Sequence, residues 1–142
     1  MANKRIPLTD AQAKFVTFVF SLTGLSYIAA GAALILIPAW FLGNVGRFEP
    51  FNRHYMGDAG AFVLAIGVGV WLMRKDAWAH RSMLLAGLAA TPLHALNHLY
   101  DAVFMHAGVE LWLQDALPNT LIAVLYLLAF WLVWRAEASK RG

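Results

Sequence analysis

A chain of 142 residues, 61% hydrophobic and 13% charged, is a single domain by length and too apolar for a water-soluble fold of that size. Its formal charge of +3 does not point to nucleic acid, because the basic residues flank apolar stretches and form no separate patch. The absence of cysteine excludes disulfides, thiolate nucleophiles and cysteine-ligated iron–sulfur clusters.

In chain order, Thr9-Asp10-Ala11-Gln12 has the spacing of a capping box and predicts a helix start just before the first apolar stretch, residues 15–37. That stretch is longer than the h-region of a signal peptide and no small-x-small cleavage site follows, so it reads as an uncleaved span. It ends near Pro38, with Trp40 and Phe41 at an interface and a turn at Gly43-Asn44-Val45-Gly46. Pro50 suits the first turn of a second helix over 51–73, Asp76 is the expected N-cap of a third over 83–104, and Pro118 suits the first turn of a fourth over 117–134. Each stretch has 18 or more residues, enough at about 1.5 Å per residue to cross a hydrocarbon core of about 30 Å with modest tilt or mismatch. The expected fold is all-α, an integral membrane four-helix bundle of antiparallel, up-down topology in one domain, residues 1–142.

Nine of the eleven basic residues fall on one side of such a chain: Lys4, Arg5, Lys14, Arg74, Lys75, Arg81, Arg135, Lys140 and Arg141. Arg47 and Arg53 fall on the other, where the loop before the fourth span carries Glu110 and Asp115 and no Lys or Arg. The positive-inside rule then places both termini in the cytoplasm. Trp40 and Trp112 form the outer rim, and Trp71, Trp78, Trp131 and Trp134 the inner one. Small residues at 29–33 and at Gly57, Gly60, Gly67 and Gly69 permit close helix contacts. Left exposed after the bundle forms, these stripes would favour a subunit of a larger complex.

The third stretch carries His94, His98 and Asp101 on one helical stripe, and the second carries His54 and Asp58 four residues apart. Ionisable side chains are costly in a membrane and usually face a partner or a cavity. At about 1.5 Å per residue His54 and Asp101 lie about 6 Å inside, Asp58 and His98 about 10–12 Å, and His94 about 16 Å. Antiparallel second and third helices would therefore bring the five groups together, with Asn52, Arg53, Tyr55, Asn97 and Tyr100 around them. His106 is expected to be solvated, and Tyr27 and Tyr126 to be packing residues.

Three chemistries fit this set. A divalent ion such as Zn, Fe or Cu accepts imidazole and carboxylate together, with His54, Asp58, His94, His98 and Asp101 as the candidate ligand set and His98 at its centre. Asp58 and Asp101 would then orient imidazoles as readily as ligate. Haem fits less well, since it needs no neighbouring Asp pair. Proton transfer along a His–Asp chain is the third, and beside all three stands a purely structural reading in which these groups hydrogen-bond across helices.

The four-span plan, its short first outer loop and the basic turn between the second and third helices resemble small bacterial membrane proteins of the DoxX-like type. That resemblance implies a bacterial inner-membrane location and redox partners. It supplies no catalytic residue for Asn52-Arg53-His54-Tyr55-x-x-Asp58 or His94-x-x-Asn97-His98-x-x-Asp101. The leading functional reading is an outward-facing metal site supporting redox or hydrolytic chemistry. The alternative is a non-catalytic accessory subunit, contacting lipid and a membrane-protein partner or a second copy of itself. A transporter fits poorly, since no broken helix pair or repeat is visible.

Overall fold

The computed structural model of the chain describes residues 7–46, 50–104 and 108–141. Lys4, Arg5, Arg47 and His106 lie outside the described residues. The fold is all-helical: α1 (Asp10–Leu36), the short α2 (Pro38–Phe41), α3 (Arg53–Met73), α4 (Arg81–Phe104), the single turn α5 (Val109–Leu111) and α6 (Leu117–Arg141). Two π-helical turns, Leu42–Gly46 and Trp112–Ala116, follow α2 and α5. Three helical stretches are long and apolar enough to cross a membrane: Asp10–Leu36, Arg53–Met73 and the run Trp112–Ala138. The fourth long helix, α4, has comparable length, but polar residues dilute its apolar content.

Local chemistry sets the boundaries. The capping box at Thr9 is formed as expected: the Gln12 N–H donates to Thr9 Oγ1 and the Thr9 N–H to Gln12 Oε1. The second long helix starts later than predicted, because Asn52 caps α3 by accepting from the Tyr55 N–H, leaving Pro50 and Phe51 ahead of it. Asp76 accepts from the Ala79 N–H and so caps a turn at 77–80, with α4 starting only at Arg81. Pro118 does occupy the first turn of α6, directly after the π-helical turn that leads into it. Pro92 lies inside α4 and leaves the Leu88 carbonyl without its helical donor.

Glycine decides which helices pair. The most extensive contact is between α1 and α3, which run antiparallel with almost no side chain between them. A Cβ on Gly31 would stand 2.5 Å from Leu64 N and 2.8 Å from the Gly60 carbonyl oxygen, and one on Gly67 2.6 Å from Ile28 N. Gly24 meets the Trp71 backbone in the same way, so the glycine stripe is spent on backbone-to-backbone approach inside the bundle. Tyr126 of α6 seats its hydroxyl against Gly87 of α4 and donates to the Leu84 carbonyl at 3.1 Å, which makes it the packing residue expected.

The apolar core lies toward one end. Val16, Val19 and Phe20 of α1, Val70 and Met73 of α3, Leu84 of α4, and Tyr126, Ala129 and Val133 of α6 are buried together, with the Phe20 and Tyr126 rings 5.1 Å apart. This is also the basic, tryptophan-rich end: Arg74 lies 3.8 Å over Trp71, Arg135 4.6 Å over Trp131, and Trp78 meets Trp134 edge-on at 5.7 Å. The polar residues singled out from the sequence occupy the other half.

The second and third long helices, α3 and α4, were expected to face each other along their polar stripes. They do touch beside their connecting turn, where Gly69 lies against Met83, but α3 commits its long face to α1 while α4 packs mainly on α6. Glycines let α1 and α3 approach at backbone distance, and no comparable small-residue seam joins α3 to α4.

Candidate functional site

The site is built from α4 and the start of α6. His94 and His98, one turn apart, bring their Nε2 atoms to 3.1 Å with the rings edge-on at 4.4 Å. On its other nitrogen, His98 Nδ1 lies 2.6 Å from Asp115 Oδ2, in the π-helical turn that leads into α6. Asn119, one turn later, donates to the Asp115 carbonyl at 2.9 Å and to its Oδ1 at 3.1 Å, holding the carboxylate in place. A carboxylate accepts only, so the short contact assigns a proton to His98 Nδ1 and leaves the Nε2 lone pair facing His94.

Burial separates this cluster from the rest of the predicted set. The side chains of His98 and Asp115 are 12% and 14% exposed, covered by α4, α6 and the turn between them. Those of His54 and Asp58 are 90% and 64% exposed and contact each other at 3.4 Å. Of the five candidates the structure thus brings together His94 and His98. The pair on α3 stands apart from them, and Asp101 meets Asn97 of its own helix at 3.5 Å. Arg53 turns away to donate to the Ile35 carbonyl on α1 at 3.2 Å.

Sequence reasoning missed Asp115, Asn119 and Tyr27. The sequence reading places Asp115 in the outer loop, whereas the helical run begins at Trp112 and carries Asp115 against His98. The Asp115/Asn119 spacing, one helical turn ahead of and into an apolar run, was the available signal. Tyr27 is not an isolated packing residue, because its ring stands edge-on to His94 at 5.8 Å and ties α1 to the site.

The donor set fits a metal ion in part. Two nitrogens 3.1 Å apart, each about 2.05 Å from one ion, would subtend about 98°, close to the tetrahedral angle of about 109°. Asp115 stands behind His98 as carboxylates do behind metal-ligating imidazoles, fixing the tautomer and raising ligand basicity. Among the described residues no third His, Asp or Glu converges on the pair. Remaining coordination positions would therefore go to water or to an exogenous ligand. His94 keeps part of its side chain accessible, as entry of such a ligand requires.

No protein family, curated protein or solved structure matches the chain. The functional reading therefore rests on the side chains themselves.

Proposed function

We propose that the chain is a four-helix protein of the bacterial inner membrane that binds a divalent metal ion through His94 and His98 at its outer end. The ion would serve redox or hydrolytic chemistry. The single observation that supports this most is the convergence of the two Nε2 atoms at a metal-compatible bite with a buried carboxylate behind one of them. Zn, Fe and Cu suit imidazole donors; when bound, such an ion polarises a ligand oxygen or lowers the pKa of water. The protein's part is to hold the imidazoles and set the His98 tautomer. The resemblance to DoxX-like proteins adds redox partners to this reading.

In this proposal α4 is the fourth span, carried across by its packing on α6, with His98 turned toward Asp115 at the start of α6. The basic end faces the cytoplasm. A single cysteine introduced at Asn44 or Gln114, in a chain with no cysteine of its own, is expected to react with an impermeant maleimide in intact cells. Reaction only after permeabilisation reverses the orientation.

The metal reading is tested by elemental analysis of protein purified without a His-tag, beside a His94→Ala/His98→Ala double variant. The exposed pair on α3 supplies the control: His54→Ala/Asp58→Ala leaves metal content unchanged and moves stability by less than about 0.5 kcal/mol, as expected for surface positions. Loss of metal in that control would return the α3 pair to the site. A second reading is favoured by the same short contacts. Asp115, His98 and His94 form a continuous hydrogen-bonded chain that could hold and pass a proton without a metal. Equal metal content in wild type and the double variant selects it.

A further inference from the structure

Directly inward of the histidines lie polar atoms that neither reading uses. Thr23 and Thr91 are each 1% exposed and Tyr27 is 8% exposed, and the hydroxyl of each is buried without a hydrogen-bond partner of normal geometry. Their placement is connected. Tyr27 abuts His94 through its ring, its hydroxyl neighbours that of Thr91, and Thr23 lies one helical turn further in on the same face of α1. Thr91 is three residues inward of His94 on α4, about 5 Å along the axis. Beyond Thr23 the interior closes, since Phe20, Leu84 and Tyr126 are packed together there and Tyr126 has already committed its hydroxyl to Leu84.

Three buried hydroxyls within one helical turn of each other in depth, in a membrane-embedded bundle, are not explained by packing. In hydrocarbon each bare hydroxyl is unfavourable, and Val would fill the place of either Thr with no such penalty. Threonines in helices usually bond the carbonyl one turn back, and neither of these does. Each hydroxyl brings one donor and two acceptor lone pairs, whereas a buried water makes about three hydrogen bonds.

We propose that Thr23, Tyr27 and Thr91 form an internal subsite for water beneath His94, a dead-end polar chamber reached from the histidine side and sealed inward by Phe20, Leu84 and Tyr126. The chamber gives His94 a hydrogen-bonded neighbour inside the bundle. It also extends the polar path Asn119, Asp115, His98, His94 to mid-depth without crossing to the basic end. It rests on the hydroxyls and not on a metal, so its failure and that of the metal reading are separate results.

Solid-state NMR of the full chain in lipid bilayers, with labelled Thr, Val and Leu methyls, tests it through magnetisation transfer from water. Transfer to the Thr23 and Thr91 methyls is expected to be severalfold faster than to Val19 and Leu84 of the apolar core. The double variant Thr23→Val/Thr91→Val should lose most of the water transfer to the buried Tyr27 ring, and Thr91→Ser should retain it. The double variant should also unfold at lower temperature, because it strands water or the Tyr27 hydroxyl. Threonine methyls as dry as Leu84 overturn the proposal. So does a double variant more stable than wild type, which would mean that the hydroxyls were bare.

Discussion

If the proposed metal site is right, replacing His98 with Ala is expected to abolish metal binding, the largest single effect on the site. His98 is the only candidate held on both ring nitrogens, by Asp115 at 2.6 Å on one side and by the approach of His94 at 3.1 Å on the other. Its removal takes one donor of the pair and also leaves Asp115 Oδ2 without its imidazole, so His98→Gln, which keeps a polar side chain, separates loss of ligation from loss of folding. Asp115→Asn should be graded: it keeps the shape but holds the imidazole less firmly, and about a 10–100-fold loss of metal affinity follows from other carboxylate–histidine pairs. Acidification should release the ion in wild type, since a proton and a metal compete for the same Nε2 lone pair and affinity falls as pH falls. Titration with Zn²⁺ followed by calorimetry reads all three. Equal metal in wild type and His98→Ala would leave the proton-holding chain as the better account.

Enlarging Gly67 is expected to be the most damaging change outside the site. Ala in place of a helical Gly gains about 1 kcal/mol in intrinsic propensity, but here its Cβ would stand 2.6 Å from Ile28 N and 2.9 Å from Tyr27 C. Both neighbours are backbone, so no rotamer change relieves the overlap and α1 must move away from α3. Overpacking of this kind costs about 1–3 kcal/mol for small increments and more for bulky ones. Gly67→Ala should therefore be destabilised despite its propensity gain, and Gly67→Leu should fail to give a stable monomeric fold. Gly43→Ala, with nothing within 4 Å of its added Cβ, should be close to neutral. Thermal unfolding in a mild detergent ranks the three. A Gly67→Ala protein as stable as wild type would mean that the α1–α3 seam is looser than its backbone distances indicate. Because Tyr27 flanks Gly67, the same change should also disturb the contact of Tyr27 with His94.

Much of this protein is determined by local sequence. Long apolar runs specify helices, because lipid and core alike require every backbone group to bond within its own segment. Thr9 and Gln12 close the first helix by a reciprocal pair of hydrogen bonds between near neighbours, and such contacts are legible without a fold. The His94/His98 pair is legible for the same reason: a spacing of four on a helix puts two rings side by side whatever surrounds them.

Only the tertiary structure decided which carboxylate completes that pair. By depth alone Asp58 is level with His98 and Asp115 lies outside the apolar run, so the sequence offers no rule that would choose Asp115. The choice follows from packing at the far side of the bundle. Gly24, Gly31, Gly60 and Gly67 draw α3 onto α1, which leaves His54 and Asp58 exposed. The α4–α6 contact then brings Asp115 against His98. Helix pairing is a competition among several possible faces, won here by the one where missing Cβ atoms let two backbones touch, and that outcome depends on all of the helices at once.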